Sequence, residues 1–315
     1  MTQKFTLVTG AAGFIGSRVC QQLISEGRPV IALDCFLPNL YSNEIKRLRW
    51  DKLDASNLIK IEFDLRIDDF SRLLEFEIDS IINEAAMPGL MSNWSQFSPY
   101  YECNISALNR LLEFSRRINI RSFVQASTSS VYGKQAIGSE SQELNPTSPY
   151  GVSKLAAEKL LLAYNEWYGT PVKILRYFSV YGPHQRPDMA YSKIITSLIN
   201  GTEFNVYGDG EQRRSNTYID DIVAATLLAE EKAPIRSILN ISGDETITLN
   251  RAIEILEDLS GRKLKRIFSP SRTGDQRDTS GFNSRAKELL NWNAEVSIED
   301  GLRNQLRAHL DLSNN

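Results

Sequence analysis

The feature that most restricts this chain is a rhythm. Short β-branched or aromatic runs, Lys4 to Thr9, Pro29 to Leu33, Leu58 to Phe63, Ser80 to Asn83, Phe123 to Ala126 and Val172 to Tyr177, alternate with helical segments. In the latter Ile15, Val19 and Leu23 recur at four-residue spacing, as do Leu108 and Leu112, and Gly151 to Tyr168 is rich in Ala, Leu, Glu and Lys. Such alternation predicts an α/β fold, a parallel sheet with helices on both faces. Beyond about residue 178 the rhythm loosens: Gly- and Pro-containing loops separate runs such as Glu203 to Tyr207 and Ser237 to Ile241. The expected organisation is a main unit over residues 1–178, to which 215–242 returns, and a smaller lobe built from 179–214 and 243–315.

Composition narrows the function classes. The chain has 315 residues, two domains' worth at usual sizes, and 42% are apolar, so a sizeable core is available. Its 36 Lys and Arg nearly cancel 39 Asp and Glu, a formal charge of −3, which argues against nucleic acid or an anionic membrane as partner. Any anionic ligand must be met by a few placed cations. The three cysteines, Cys20, Cys35 and Cys103, show no Cys-x-x-Cys spacing, so neither a disulfide framework nor a metal site is expected, and a reducing cytoplasm fits best. Apolar stretches such as Ile222 to Ala229 fall far short of the roughly 20 residues that span a bilayer. A secretory leader is not expected either, because the apolar segment from Phe5 runs into a glycine motif.

That motif, Gly10-Ala-Ala-Gly13-Phe14-Ile15-Gly16, lies between the first strand and the first helix. Glycines there let the backbone approach a pyrophosphate, whose charge the helix N-terminus then meets. Asp34, 18 residues beyond Gly16 at the end of the second strand, can accept hydrogen bonds from ribose hydroxyls and would repel a 2′-phosphate. The pair points to NAD rather than NADP. Asp64, after the third strand, can bond an adenine edge or stand as a solvated loop aspartate.

Tyr150-Gly-Val-Ser-Lys154 follows Ser148 and Pro149, an N-cap and a first-turn proline, so Tyr150 and Lys154 are expected one turn apart on one helical face. Lys154, assisted by a cationic nicotinamide ring, is then expected to depress the phenol pKa, letting Tyr150 act as a base. Upstream, the hydroxyl cluster Ser127-Thr128-Ser129-Ser130 before Val131-Tyr132-Gly133 stands at the carboxyl end of the fifth strand, where ligands bind in such sheets.

The Gly-x-x-Gly-x-x-Gly spacing with Tyr-x-x-x-Lys resembles the extended short-chain dehydrogenase/reductases, in particular their nucleotide-sugar epimerase/dehydratase branch, over nearly the whole chain. The resemblance implies a Rossmann-type doubly wound parallel sheet binding NAD, with a smaller C-terminal substrate-binding lobe and a homodimer through Asn104 to Ile118 and Gly151 to Tyr168. It makes Thr128 the third catalytic hydroxyl and places Phe14, Ile15, Leu65, Ala85, Ala86, Asn104 and Tyr177 at the cofactor.

Relatives that eliminate water carry Thr-Asp-Glu before Val-Tyr-Gly, and uronate decarboxylases keep the Glu; here Thr128-Ser129-Ser130 offers no carboxylate. That pattern favours simple oxidation and re-reduction at C4. Arg186-Pro-Asp-Met-Ala190 and Ala85-Ala-Met-Pro-Gly89 are similar to stretches of UDP-glucuronate 4-epimerases. In that group Ser129, Ser130, Ser179 and Arg186 would hold the sugar carboxylate. Arg214, and Arg272 with Asp275, resemble the clamps on the nucleotide diphosphate and ribose, strong charge-assisted contacts if formed. Two departures bear on this assignment: Met91 stands where many relatives have arginine, and Asn83 replaces a common histidine. A UDP-glucose or UDP-N-acetylglucosamine 4-epimerase, a decarboxylase or dehydratase, and a non-enzymatic NAD-binding regulator are the rival expectations.

Overall fold

In the computed structural model, residues 3–38, 41–89, 94–271 and 276–313 are described. The chain begins with β1 (Phe5–Thr9), α1 (Phe14–Ser25), β2 (Val30–Asp34), α2 (Asn43–Asp51), β3 (Leu58–Glu62) and β4 (Ile78–Asn83). A short α3 (Ser98–Tyr100) passes through a π-helical turn (Tyr101–Ser106) into α4 (Ala107–Ser115), followed by β5 (Ser122–Thr128), β6 (Gln135–Ala136), α5 (Pro149–Tyr168) and β7 (Val172–Tyr177). Then come β8 (Val180–Tyr181), α6 (Ala190–Asn200), β9 (Glu203–Tyr207), β10 (Arg213–Ser215), β11 (Thr217–Tyr218), α7 (Ile219–Lys232) and β12 (Ile238–Ile241). The last elements are β13 (Thr246–Thr248), α8 (Leu249–Ser260), β14 (Lys265–Ser269), β15 (Asp278–Thr279), α9 (Ser284–Leu290) and α10 (Ile298–Ser313).

Seven parallel strands form the main sheet in the order β12-β7-β5-β4-β1-β2-β3. This is the expected doubly wound α/β sheet. Its strands read as nearly continuous apolar runs because both faces are covered. Leu7, Ile31, Leu33, Ile81 and Phe123 pack on one side, while their sequence neighbours Val8, Val30, Ala32, Ile82 and Val124 pack on the other, as a two-residue period requires. The late strand β12 joins the sheet edge beside β7, and the later segments form small sheets, β14-β9 among themselves and β13-β10-β15-β6 with the early strand β6.

The winding direction reverses at β1, which has β2 on one side and β4 on the other. At such a switch point the loops after adjacent strands part and leave a crevice at their carboxyl ends. Gly10 and Glu84-Ala85 stand at its lip.

Candidate active site

A long cleft opens at that switch point. Its walls include Gly10, Gly13, Phe14, Ile15, Gly16, Asp34, Asp64, Leu65, Ala85 and Ala86 toward one end and Tyr150, Lys154, Tyr177 and Arg186 toward the other. Fourteen of the expected site residues are thus gathered in one cavity.

At the first end the main chain sets the geometry. A Cβ on Gly16 would fall 2.2 Å from the Gly10 carbonyl oxygen, so the strand-to-helix turn closes only around hydrogen. Gly13 caps α1 without any side-chain cap, and the first-turn residues Phe14, Ile15 and Gly16, whose amides have no partner within the helix, line the cavity. Such a cradle suits a diphosphate. Asp34 fixes the neighbouring loop, its carboxylate accepting from the amides of Ala12 at 3.0 Å and Phe36 at 2.8 Å. Asp34 also lines the cleft, and a carboxylate with two of its lone pairs used has others for a ribose diol, so the residues present fit NAD. Asp64 is held by Arg66, which bonds it through both Nε and a terminal nitrogen at 2.7 Å and keeps its carboxyl below the usual range. Arg66, missed in the sequence, also lines the cleft.

At the other end buried side chains set the geometry. Ser148 accepts from the Gly151 amide at 3.1 Å and Pro149 occupies the first turn, so α5 starts where the capping signal places it. Gly151 has a packing role the motif does not announce: a Cβ there would lie 2.7 Å from the Ser130 carbonyl oxygen, so its absence lets the helix close on the hydroxyl loop. Thr128 caps the 3-10 turn Ser129–Tyr132, accepting from the Ser130 amide at 3.1 Å, and its hydroxyl donates to Ser130 Oγ at 3.2 Å close to the Tyr150 phenol. Lys154 donates to the Ala126 carbonyl at 2.6 Å. Burial lowers this ammonium to about 8, opposed by the nearby Glu84 and Glu158.

Burial pushes Tyr150 up to about 12, and the Arg186 guanidinium and the neighbouring Thr128 hydroxyl pull it down. Lys154 donates to the β5 main chain, and Arg186 lines the same cavity as the phenol. Arg186 is held there by both oxygens of Asp188, at 3.0 and 2.6 Å. Lys154 and Tyr150 share a helix face, but the two share no bond.

Other expected residues are placed differently. Asn104 is a buried strut, accepting from the Met87 amide at 2.7 Å and donating to Ser153 at 2.9 Å, and does not line the cleft. Ser129 is buried and Ser130 half-buried in the turn beside Tyr150. Ser179 lies past the end of β7, its carbonyl accepting from the Thr217 amide at 3.1 Å. Arg214 is on β10 and donates to the Arg213 carbonyl at 2.8 Å and to that of Gln276. Neither reaches the cleft wall. Arg272, Asp275 and Met91 lie outside the described residues. Asn83 is committed inside the sheet, donating to Gln125 at 2.7 Å and accepting from Thr9, so this departure is a core substitution.

Glu84 was also missed. It lines the cleft at the end of β4, 2.8 Å from the Tyr177 hydroxyl. A lone acidic residue before Ala-Ala carries no sequence signal; the topology brings it to the site.

Among the described residues no group of three or more His, Cys, Asp or Glu could hold a metal ion, and no helix is long and apolar enough to cross a membrane.

Comparisons with known proteins agree with this geometry. Residues 6–242 match the model of the NAD dependent epimerase/dehydratase family. The chain is 42% identical over 305 residues to a Bacillus subtilis protein described as an uncharacterized UDP-glucose epimerase, YtcB, covering 95% of this chain and 96% of that one. It is 37% identical over 306 residues to the UDP-glucuronate 4-epimerase of Thermodesulfobacterium geofontis, covering 95% and 94%. The crystal structure of UDP-glucuronic acid 4-epimerase from Bacillus cereus with UDP-glucuronic acid and NAD superposes with a TM-score of 0.94 at 38% identity, covering 98% of this chain and 99% of that one. With a glycine cradle at one end of its cleft and a capped Tyr-Lys helix at the other, the chain belongs to the NAD dependent epimerase/dehydratase family.

Proposed function

We propose that this protein is an NAD-dependent UDP-sugar 4-epimerase, acting on UDP-glucuronate to give UDP-galacturonate through a transient 4-keto sugar. The observation that carries the reading is the tyrosine end of the cleft: Tyr150 beside Thr128, with Arg186 lining the same cavity and no acidic residue in the Thr128-Ser129-Ser130 turn. The relatives and solved structures named as UDP-glucuronate 4-epimerases support the substrate.

Bound NAD supplies the acceptor and then the donor of the C4 hydride. Tyr150 removes the C4 hydroxyl proton and returns it. Thr128 orients the phenol and shares the sugar oxygen. Lys154, fixed on the Ala126 carbonyl, places a positive charge under the same end. The keto sugar turns about its phosphate linkage and presents its other face. For a uronate this intermediate is a β-keto acid, so the carboxylate must be held with its scissile bond out of line with the carbonyl π-system; Ser129, Ser130, Ser179 and Arg186 are our assignment for that task.

Residues 1–178 with 215–242 are the NAD-binding part in this reading, and 179–214 with 243–315 mainly the substrate-binding lobe, Arg214, Arg272 and Asp275 included. A homodimer through residues 104–118 and 151–168 and a cytoplasmic setting, consistent with free thiols at Cys20, Cys35 and Cys103, belong to the same proposal.

The test is incubation of the purified protein and NAD with a panel of UDP-hexoses and UDP-uronates. An epimer of unchanged mass from UDP-glucuronate is expected. Loss of carbon dioxide or water would replace the reading with a decarboxylase or dehydratase, and turnover of UDP-glucose or UDP-N-acetylglucosamine alone would replace the substrate.

A further inference from the structure

Glu84 is a titratable group of the cleft to which the C4 chemistry assigns no role: its main chain adjoins Gly10 and its side chain reaches Tyr177. It lies half-buried at the switch point, and lines the same cavity as Tyr150, Lys154 and Tyr177. Its Oε1 is 2.8 Å from the Tyr177 hydroxyl, which is 2.7 Å from the Thr226 hydroxyl on α7, which in turn is 2.7 Å from the Ile222 carbonyl one turn back.

These are three contacts, and the two hydroxyls bring only two protons. With a proton on Glu84 all three are hydrogen bonds running one way: Glu84 donates to Tyr177, Tyr177 to Thr226 and Thr226 to the Ile222 carbonyl. Without it Tyr177 donates to the carboxylate, Thr226 turns to donate to Tyr177, and the third bond is given up. The chain therefore has two polarities, selected by one proton. The strands flanking β4, β1 and β5, carry no ionisable side chain. The titratable groups that face Glu84 are Tyr177 from β7 and Tyr150 and Lys154 from α5. Burial raises its carboxyl to about 7, against the Tyr177 bond and the Lys154 charge, so both polarities are accessible near neutral pH.

We propose that Glu84 is a positioning residue of the redox step: ionised, it stabilises the oxidised, cationic nicotinamide at the Tyr150–Lys154 end, and protonated, it reverses the Tyr177–Thr226 chain and withdraws that stabilisation. The inference rests on the epimerase reading above. In that reaction the C4–H bond breaks, the hydride and its electron pair pass to the nicotinamide and the hydroxyl proton to Tyr150, and re-reduction reverses both. Glu84 stands outside this balance, and its proton exchanges with water through the open cleft.

The test uses the holoenzyme loaded with NAD and mixed with UDP-glucuronate over a pH series, reading reduced nicotinamide by near-ultraviolet absorbance and fluorescence and product in parallel. In Glu84→Gln the reduced fraction at about pH 8 is expected to exceed the wild-type value by about three- to tenfold, the scale of one partly screened charge. The difference should close as the pH falls below about 7, where the native carboxyl is itself neutral. Thr226→Val keeps the acid but removes the acceptor at the end of the protonated chain, so it should favour the ionised form and lower the pH of the wild-type transition. Equal reduced fractions in wild type and Glu84→Gln at every pH, or an unshifted transition in Thr226→Val, would overturn the inference. If wild type yields neither reduced nicotinamide nor epimer from any UDP-sugar, the epimerase reading fails, and the inference with it.

Discussion

The two ends of the cleft are built from different materials. At the glycine end the groups that would face a diphosphate are main-chain amides, held by a turn that no side chain can enter and by Asp34 bonded to two backbone N–H groups. At the tyrosine end they are ionisable side chains whose charge depends on burial and on one another: Tyr150 pushed up to about 12, Lys154 down to about 8 and Glu84 up to about 7. A main-chain site has no titration of its own, because amides keep their dipoles at every pH. A side-chain site can move protons, and it depends on a supporting layer. That layer is the buried ion pair of Arg176 with Glu158, at 2.7 Å, one turn along α5 from Lys154. Ser127 also donates to Glu158, and Arg176 donates to Tyr132 at 2.9 Å.

The contrast can be broken at either end. Tyr150→Phe keeps the ring and removes the proton carrier, so kcat for epimerisation should fall by about 10³-fold with NAD binding and melting temperature retained, as general acid–base loss predicts; retention of most activity would refute the assignment. Arg176→Met leaves Glu158 buried and unpaired. It should cost about 3–5 kcal/mol of stability in chemical denaturation, with activity lost through disorder of α5 and β5. Gly16→Ala strikes only the other end. Moving the turn aside for a Cβ should cost about 1–3 kcal/mol, roughly ten- to a hundredfold in NAD affinity by titration, while the pH profile of the remaining activity stays put.

The smallest effect is expected at Arg186. Its guanidinium lowers the phenol, so Arg186→Gln should raise the Tyr150 pKa and move the acid limb of the kcat profile to higher pH. An unmoved limb would leave Arg186 without a part in ionisation. Release of a pentose product by the same variant would instead tie it to the sugar carboxylate.

Much of the glycine end was legible in the sequence. Gly10, Gly13, Gly16 and Asp34 are adjacent to strand ends, and their requirements are local: a turn with no room for Cβ and an acid one strand over. The helix carrying Tyr150 and Lys154 was legible for the same reason, since Ser148 and Pro149 act within one turn. The bonding of Asn104 was not legible because its partners, Met87 and Ser153, lie 17 and 49 residues away. Arg66 and Glu84 went unseen because nothing beside them in the chain marks a site.

The sequence by itself determined the alternation of strands and helices, the turn that closes on hydrogen, and the start of α5, all effects acting over a few residues. Only the tertiary structure decided who neighbours whom at the switch point. Folding carried β4 back beside β1, set Glu84 against Tyr177 and Tyr177 against Thr226, turned Lys154 onto the Ala126 carbonyl, and brought Arg186 into the cavity of the phenol. The physical reason is that charge in a protein is set by distance and solvent exclusion, and both are properties of the packed chain rather than of any segment of it.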